Sequence, residues 1–209
     1  MIANNILNKG QILNLSDKYS RINQVGIGFG WKKRKDFEAE LDIEVFSFLL
    51  DKNGRVPADE YFVFYGSELT TDDINGPRPY SGDGALIGSL LSKSKEKNGD
   101  HAQIYLTLEN VREDINRIVI ALAIIKYPND CKKDKRYLGY SFSKVDDLYA
   151  HCFDYKTGKG LFSNHVNLNF NKEDVIEIGE FIKQDDEWIY RVINEAYDGG
   201  IITLITKYT

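Results

Sequence analysis

Gln103-Ile-Tyr-Leu-Thr-Leu108 sets the fold class: Ile104, Leu106 and Leu108 alternate with Tyr105 and Thr107, the period-2 pattern of a strand with one buried face. Further on, Ile118-Val-Ile-Ala-Leu-Ala-Ile-Ile125 is apolar without alternation, which predicts a central strand covered on both sides. Val175 to Ile182 alternates again, with Glu177 and Glu180 placing some polarity on each face. Val45 to Leu50 and Tyr61-Phe-Val-Phe-Tyr65 flank Asp51-Lys-Asn-Gly54, whose Asn-Gly pair tolerates the positive φ of a hairpin turn. Such segments recur along most of the chain between turn signals, so the fold class is mainly β: a β-sandwich of two packed sheets. Helix is expected in two short places. Leu86, Ile87, Leu90 and Leu91 share a helical face within Ala85 to Lys95, and Ile201, Leu204, Ile205 and Tyr208 do so within Gly200 to Tyr208.

The 209 residues fit one domain, 1–209, long enough to bury a substantial core. A net charge of −5 with basic residues interspersed lacks the field that nucleic acid or an anionic membrane would require. The start, MIANNILNKG, has no basic segment followed by an apolar core, and no apolar run approaches the length of a membrane span, so a cytoplasmic protein is expected. Cys131 and Cys152 form no Cys-x-x-Cys pair and read as reduced thiols. His151 and Cys152 are neighbours on a predicted strand and so point to opposite faces, which argues against a nucleophile and base pair and places Cys152 in the core.

Carboxylates are the functional groups in quantity. Asp42 and Glu44 stand two apart in a predicted strand and project from one face, where like charges repel unless a cation or base lies between them. The long connection from Gly66 to His101 adds Asp72, Asp73, Asp83 and Asp100, with Gly82, Gly84 and Gly99 letting backbone carbonyls turn toward an ion. This oxygen-rich set suits calcium better than zinc. It does not follow the twelve-residue EF-hand pattern, and spacing alone leaves open the alternative that Asp42 and Glu44 are surface groups paired with Lys32, Lys33, Arg34 or Lys35.

Several stretches in one order resemble the bacterial tellurium-resistance TerD family: Leu7-Asn-Lys-Gly-Gln-Ile-Leu-Asn-Leu15, Val25-Gly-Ile-Gly-Phe-Gly-Trp31, Asp42-Ile-Glu-Val-Phe-Ser-Phe-Leu-Leu-Asp51 and Phe62-Val-Phe-Tyr65. Ser81-Gly-Asp83 and Gly99-Asp100 occupy the places of the family's Gly-Asp-Asn and Gly-Asp-Asp-Glu runs, and Glu187-Trp188 with Tyr197-Asp-Gly-Gly200 resembles its C-terminal signature. The resemblance implies a β-sandwich with a long metal-binding loop, with Ca2+ held by Asp42, Glu44, Gly82, Asp83 and Asp100. It implies a non-catalytic module of tellurium resistance and chemical stress response, assembling with other Ter-family proteins, among them a TerC-type membrane protein, without inserting in the membrane itself. The alternatives are a metal-free interaction member of the family and a metal-dependent hydrolase, the latter lacking any visible nucleophile, base and oxyanion set.

The chain also departs from the family pattern. Glu44 replaces the usual Asp, His101-Ala102 replaces Asp-Glu, and extra residues follow Gly84. Fewer or more weakly bound ions are expected, and a His101→Asp, Ala102→Glu change should tighten binding. His101 itself reads as a solvated loop residue, Trp31 and Trp188 as buried aromatics at strand ends, and Gly26-Ile-Gly-Phe-Gly30 as a strand with bulges or close packing.

Overall fold

The computed structural model describes residues 5–15, 22–67, 77–89, 99–126 and 139–209. A six-stranded antiparallel sheet runs in the order β1 (Ile12–Asn14), β11 (Glu187–Tyr197), β10 (Val175–Gln184), β7 (Ile115–Ile124), β3 (Ile43–Asp51) and β4 (Phe62–Val63). A five-stranded sheet holds β5 (Leu86–Ile87), β6 (Ala102–Thr107), β2 (Gln24–Lys33), β8 (Val145–Asp154) and β9 (Gly160–His165). Their inner faces share one apolar cluster, with Val25, Ile27 and Phe29 from β2 meeting Ile43, Val45 and Leu49 from β3.

The unbroken apolar run in β7 has a direct explanation. Ile118, Ile120, Leu122 and Ile124 enter the inter-sheet core, whereas Val119, Ala121 and Ala123 face a second cluster on the outer side of the six-stranded sheet. That outer cluster is capped by the C-terminal helix, Ile202–Tyr208, whose Leu204 and Tyr208 are buried while Ile201 and Ile205 pack alongside. The helical face expected from sequence is the one that docks.

β10 departs from simple alternation. Its register shifts between Glu177 and Gly179, so Ile176, Ile178 and Phe181 all point inward while Glu177 and Glu180 both point outward. Glu180 is enclosed by Arg117 and Arg191. Glu177 accepts hydrogen bonds from the Tyr208 hydroxyl, from Lys207 Nζ at 2.9 and 3.0 Å and from the Tyr197 hydroxyl at 3.0 Å, tying the helix to the sheet.

β3 and β4 pair antiparallel through Ser47↔Val63 and Phe48↔Phe62, as the hairpin reading requires, but the loop is longer than two residues. Gly54, at φ +74°, donates to the Asp51 carbonyl, and a 3-10 turn at Asp59–Tyr61 then leads into β4. The helix expected from Ala85 is replaced, where the chain is described, by strand: Leu86 and Ile87 pair with Leu106 and Tyr105 of β6. The apolar residues at helical spacing are drawn into a sheet edge whose backbone bonds outweigh local propensity. The rest of that expected helix, and Asp72, Asp73 and Cys131, lie outside the described residues.

Candidate functional site

The five residues singled out for a metal fall in three places. Asp42 immediately precedes β3, its side chain exposed and its carbonyl accepting the Ile125 N–H at 2.8 Å. Glu44 is 5 % exposed, opposite Ala123 on β7 and on the same face as Phe46 and Phe48. Burial, and then the neighbouring Asp42 charge, push its carboxyl up to about 8. In the basic run, Lys33 lies 3.8 Å from Glu40 and Arg34 is bound to Asp36 at 2.8 Å, and no ion pair to Asp42 or Glu44 forms among the described residues.

Gly82 and Asp83 sit in a tight turn that docks on the approach to β4. Gly82 N–H donates to the Glu60 carbonyl at 3.0 Å, and a Cβ there would come within 2.2 Å of Glu60 Cγ. The Asp83 carboxylate accepts from Ser81 Oγ at 2.5 Å, from Ala85 N–H at 3.0 Å and from Arg112 N–H at 3.0 Å. Arg112 in turn donates to the Tyr61 hydroxyl and lies 4.3 Å over the Tyr61 ring. Asp83 therefore fastens its own turn and the start of β7.

Asp100 occupies the opposite end of β6, on the outer face of the five-stranded sheet. Ala85 bonds to Thr107, so the stretch from 100 to 107 separates the two Gly-Asp runs by on the order of 20 Å of extended chain. Asp100 is 1 % exposed and accepts from Gln103 Nε2 at 2.8 Å and from the Tyr149 hydroxyl at 3.0 Å, with His151 Nε2 at 2.9 Å. Burial raises its carboxyl, but bonds to His151, Gln103 and Tyr149 more than offset this and leave it below the ordinary range. Tyr149 is pushed up to about 12 by burial and the Asp100 charge.

β2 makes room for this cluster. Gly28 lies beneath Asp100 and His151, while Gly26 and Gly30 lie beneath Phe153 and Tyr149 of β8. The glycines serve close packing, and the register shift of β2 falls elsewhere, at Lys32 and Lys33. His101 is half-buried and held rather than a free loop residue: its ring stacks on Trp31 at 4.2 Å, and its Nδ1 accepts the Trp31 N–H at 3.2 Å.

Among the described residues no three His, Cys, Asp or Glu side chains converge on a point that could hold an ion. Asp42 and Glu44 are neighbouring carboxyls with no ion pair to a base among the described residues, oxygen donors of the type a hard cation takes. Asp83 and Asp100 do not join them, because both are occupied by hydrogen bonds at opposite ends of the other sheet. Sequence reading missed His151, Tyr149 and Gln103 as partners of Asp100. The available signal was the Gly-x-Gly-x-Gly alternation in β2, which marks where bulky neighbours cross a strand.

Comparison with known proteins bears on the whole chain. A family model described as the TerD domain matches residues 4–208. Tellurium resistance protein TerD of Serratia marcescens is 24% identical over 202 residues, covering 97% of this chain and 95% of that protein. General stress protein 16U of Bacillus subtilis is 26% identical over 203 residues, with coverage of 97% and 95%. The solved structure of a homologue of telluride resistance protein TerD from Streptomyces coelicolor superposes with a TM-score of 0.62 at 13% identity, over 88% of this chain and 95% of that one. At that identity the likeness speaks for the fold.

Proposed function

This chain belongs to the TerD family, and from that premise we propose that it is a calcium-binding, non-catalytic module of bacterial tellurium resistance and chemical stress response. It acts in the cytoplasm through assembly with other Ter-family proteins. The names of the relatives from Serratia marcescens and Bacillus subtilis support the stress role. A non-catalytic reading is supported by the adjoining thiol and imidazole of β8: Cys152 is fully buried with its thiol pushed up by burial, and His151 faces away from it toward Asp100. No helix among the described residues is long and apolar enough to cross a membrane.

The observation that carries the calcium reading is the neighbouring carboxyl pair Asp42 and Glu44, which forms no ion pair among the described residues. Asp42 and Glu44 would hold the ion, which would supply a positive charge that no described residue supplies there. With Asp83 and Asp100 committed elsewhere, a site resting on this pair has few charged ligands and binds weakly. Calcium titration followed by thermal unfolding tests it. At a free concentration a hundredfold above the dissociation constant the stabilisation is about 2.7 kcal/mol, several degrees in a chain of this size. Asp42→Asn should abolish the shift and, above about pH 8 where Glu44 is ionised, raise the metal-free melting temperature by relieving repulsion. No calcium response in wild type, with Asp42→Asn indistinguishable from it, leaves the metal-free alternative.

A further inference from the structure

The C-terminal helix covers only part of the outer face of the six-stranded sheet. Beside it, along β4, two adjoining grooves of about 800 and 660 Å3 share Phe62, Phe64 and Ile205 as a common wall. The half-buried rings of Phe62 and Phe64 stack on each other at 5.0 Å, and Phe62 rests on the buried Phe48 at 4.6 Å, which fixes the wall from beneath. Ile202, on the far lip, is 61 % exposed. An apolar saddle of this kind on the surface marks a contact site rather than ordinary scatter.

The charge at its rim selects the occupant. Asp174 and Asp198 on one side are neutralised by Lys126 and Lys172, at 2.5 and 2.7 Å. Asp59 and Glu60 on the other side are exposed and have no ion-pair partner among the described residues. An anionic lipid surface or an acidic segment would meet repulsion there, whereas a cationic one gains attraction that also speeds encounter.

We propose that this saddle docks a basic amphipathic segment of a partner protein, apolar side chains on Phe62, Phe64 and Ile202 and Lys or Arg over Asp59 and Glu60. The proposal rests on the assembly reading above and names the chemistry of the partner. Helix-in-groove binding of this type uses apolar anchors at helical spacing with charges on the rim.

The test is fluorescence anisotropy of a labelled synthetic peptide, Leu at helical spacing and Lys elsewhere, titrated with the full chain in the absence of calcium. A Glu-for-Lys counterpart is the control. Saturable binding of the Lys peptide alone is expected. Asp59→Lys with Glu60→Lys should weaken it about tenfold at low salt, and Ile202→Ser several-fold. These side chains are exposed, so the melting temperature should hold and report intact folding. Absence of binding, or binding untouched by both variants, overturns the proposal. So does binding to phosphatidylserine vesicles, or a self-association that Ile202→Ser dissolves, either of which assigns the face to another occupant. Peptide binding without a calcium shift defeats the calcium reading alone, and a calcium shift without peptide binding defeats the groove alone.

Discussion

Gly28 and Gly54 show how differently two glycines can be required. A Cβ at Gly28 would lie 2.1 Å from Asp100 Oδ2 and 2.4 Å from His151 Nε2, so Gly28→Ala must displace a buried, hydrogen-bonded carboxylate. Gly54 has open space but φ +74°, where an L side chain is strained by about 1 kcal/mol. Gly28→Ala should therefore destabilise by roughly 3 kcal/mol and Gly54→Ala by roughly 1, read from urea unfolding. Equal losses would mean that the Asp100 cluster yields freely. Titration separates the acids in the same way. Asp100 is lowered in the fold, so its contribution is present above its unfolded pKa and disappears as pH falls through the folded value. Glu44 has the opposite sign: raised from 4.5 to about 8, it keeps its proton in the fold when the unfolded chain has lost it, so stability falls as pH rises between those values. Glu44→Gln should flatten that decline in melting temperature, measured without calcium; an unchanged slope would place the titration elsewhere. The His101→Asp, Ala102→Glu restoration suggested by sequence has a structural obstacle. Ala102 is buried in the inter-sheet core, so a glutamate there destabilises the fold before it can reach an ion.

At the scale of elements, the C-terminal helix is seven residues long, too short to persist alone, and depends on what holds it down. Glu177 is that hold, accepting from Tyr208, Lys207 and Tyr197 beside the apolar cluster that the helix caps. Glu177→Ala leaves the buried Tyr208 hydroxyl without its acceptor, so it should destabilise by about 2 kcal/mol. Hydrogen exchange should locate the damage: amides of Leu204 to Tyr208 lose protection while those of β7 keep theirs, and a uniform loss would refute local undocking. This helix was legible in the sequence because one apolar face at period 3.6 ends the chain, and β6 and β7 were legible because their patterns mirror one-sided and two-sided burial. Leu86 and Ile87 were misread because β6 supplies a pairing partner that local spacing cannot announce. The β10 bulge was invisible for a related reason: strict alternation puts Glu177 and Glu180 on opposite faces, and only Tyr190 against Gly179 with the shifted register reveals that they share one. The acids were legible as acids, but not their separation, since which end of β6 each Gly-Asp run occupies depends on long-range strand order.

For the molecule as a whole, the two sheets need a tie along the side where β9 and β11 come together. The N-terminal segment provides one: Leu7 donates to the Ser163 carbonyl on β9 at 2.8 Å, and Gly10 to the Val192 carbonyl on β11 at 2.9 Å. A second tie joins the sheets by side chains. Asn164 Nδ2 donates to Asn194 Oδ1 at 2.8 Å, and Asn194 Nδ2 donates back to Asn164 Oδ1 at 2.9 Å, a reciprocal amide pair with Asn164 fully buried. Asn194 reaches it from a left-handed φ of +47°, a conformation asparagine tolerates better than most residues. Asn194→Ala strands the donor and acceptor of the fully buried Asn164 and should destabilise by roughly 2 kcal/mol, while Asn164→Ala leaves the half-buried Asn194 within reach of water and should destabilise by roughly 1 kcal/mol. Removing both removes the orphan as well as the bond. The double variant should then lose less than the sum of the singles, with a coupling on the order of 1 kcal/mol in a urea-unfolding cycle. Asn194→Gly separates the amide from the backbone: it relieves the φ constraint yet still orphans Asn164, so it should be nearly as damaging as Asn194→Ala if the amide pair is what matters. Strict additivity would show that the N-terminal segment alone holds this side of the sandwich closed.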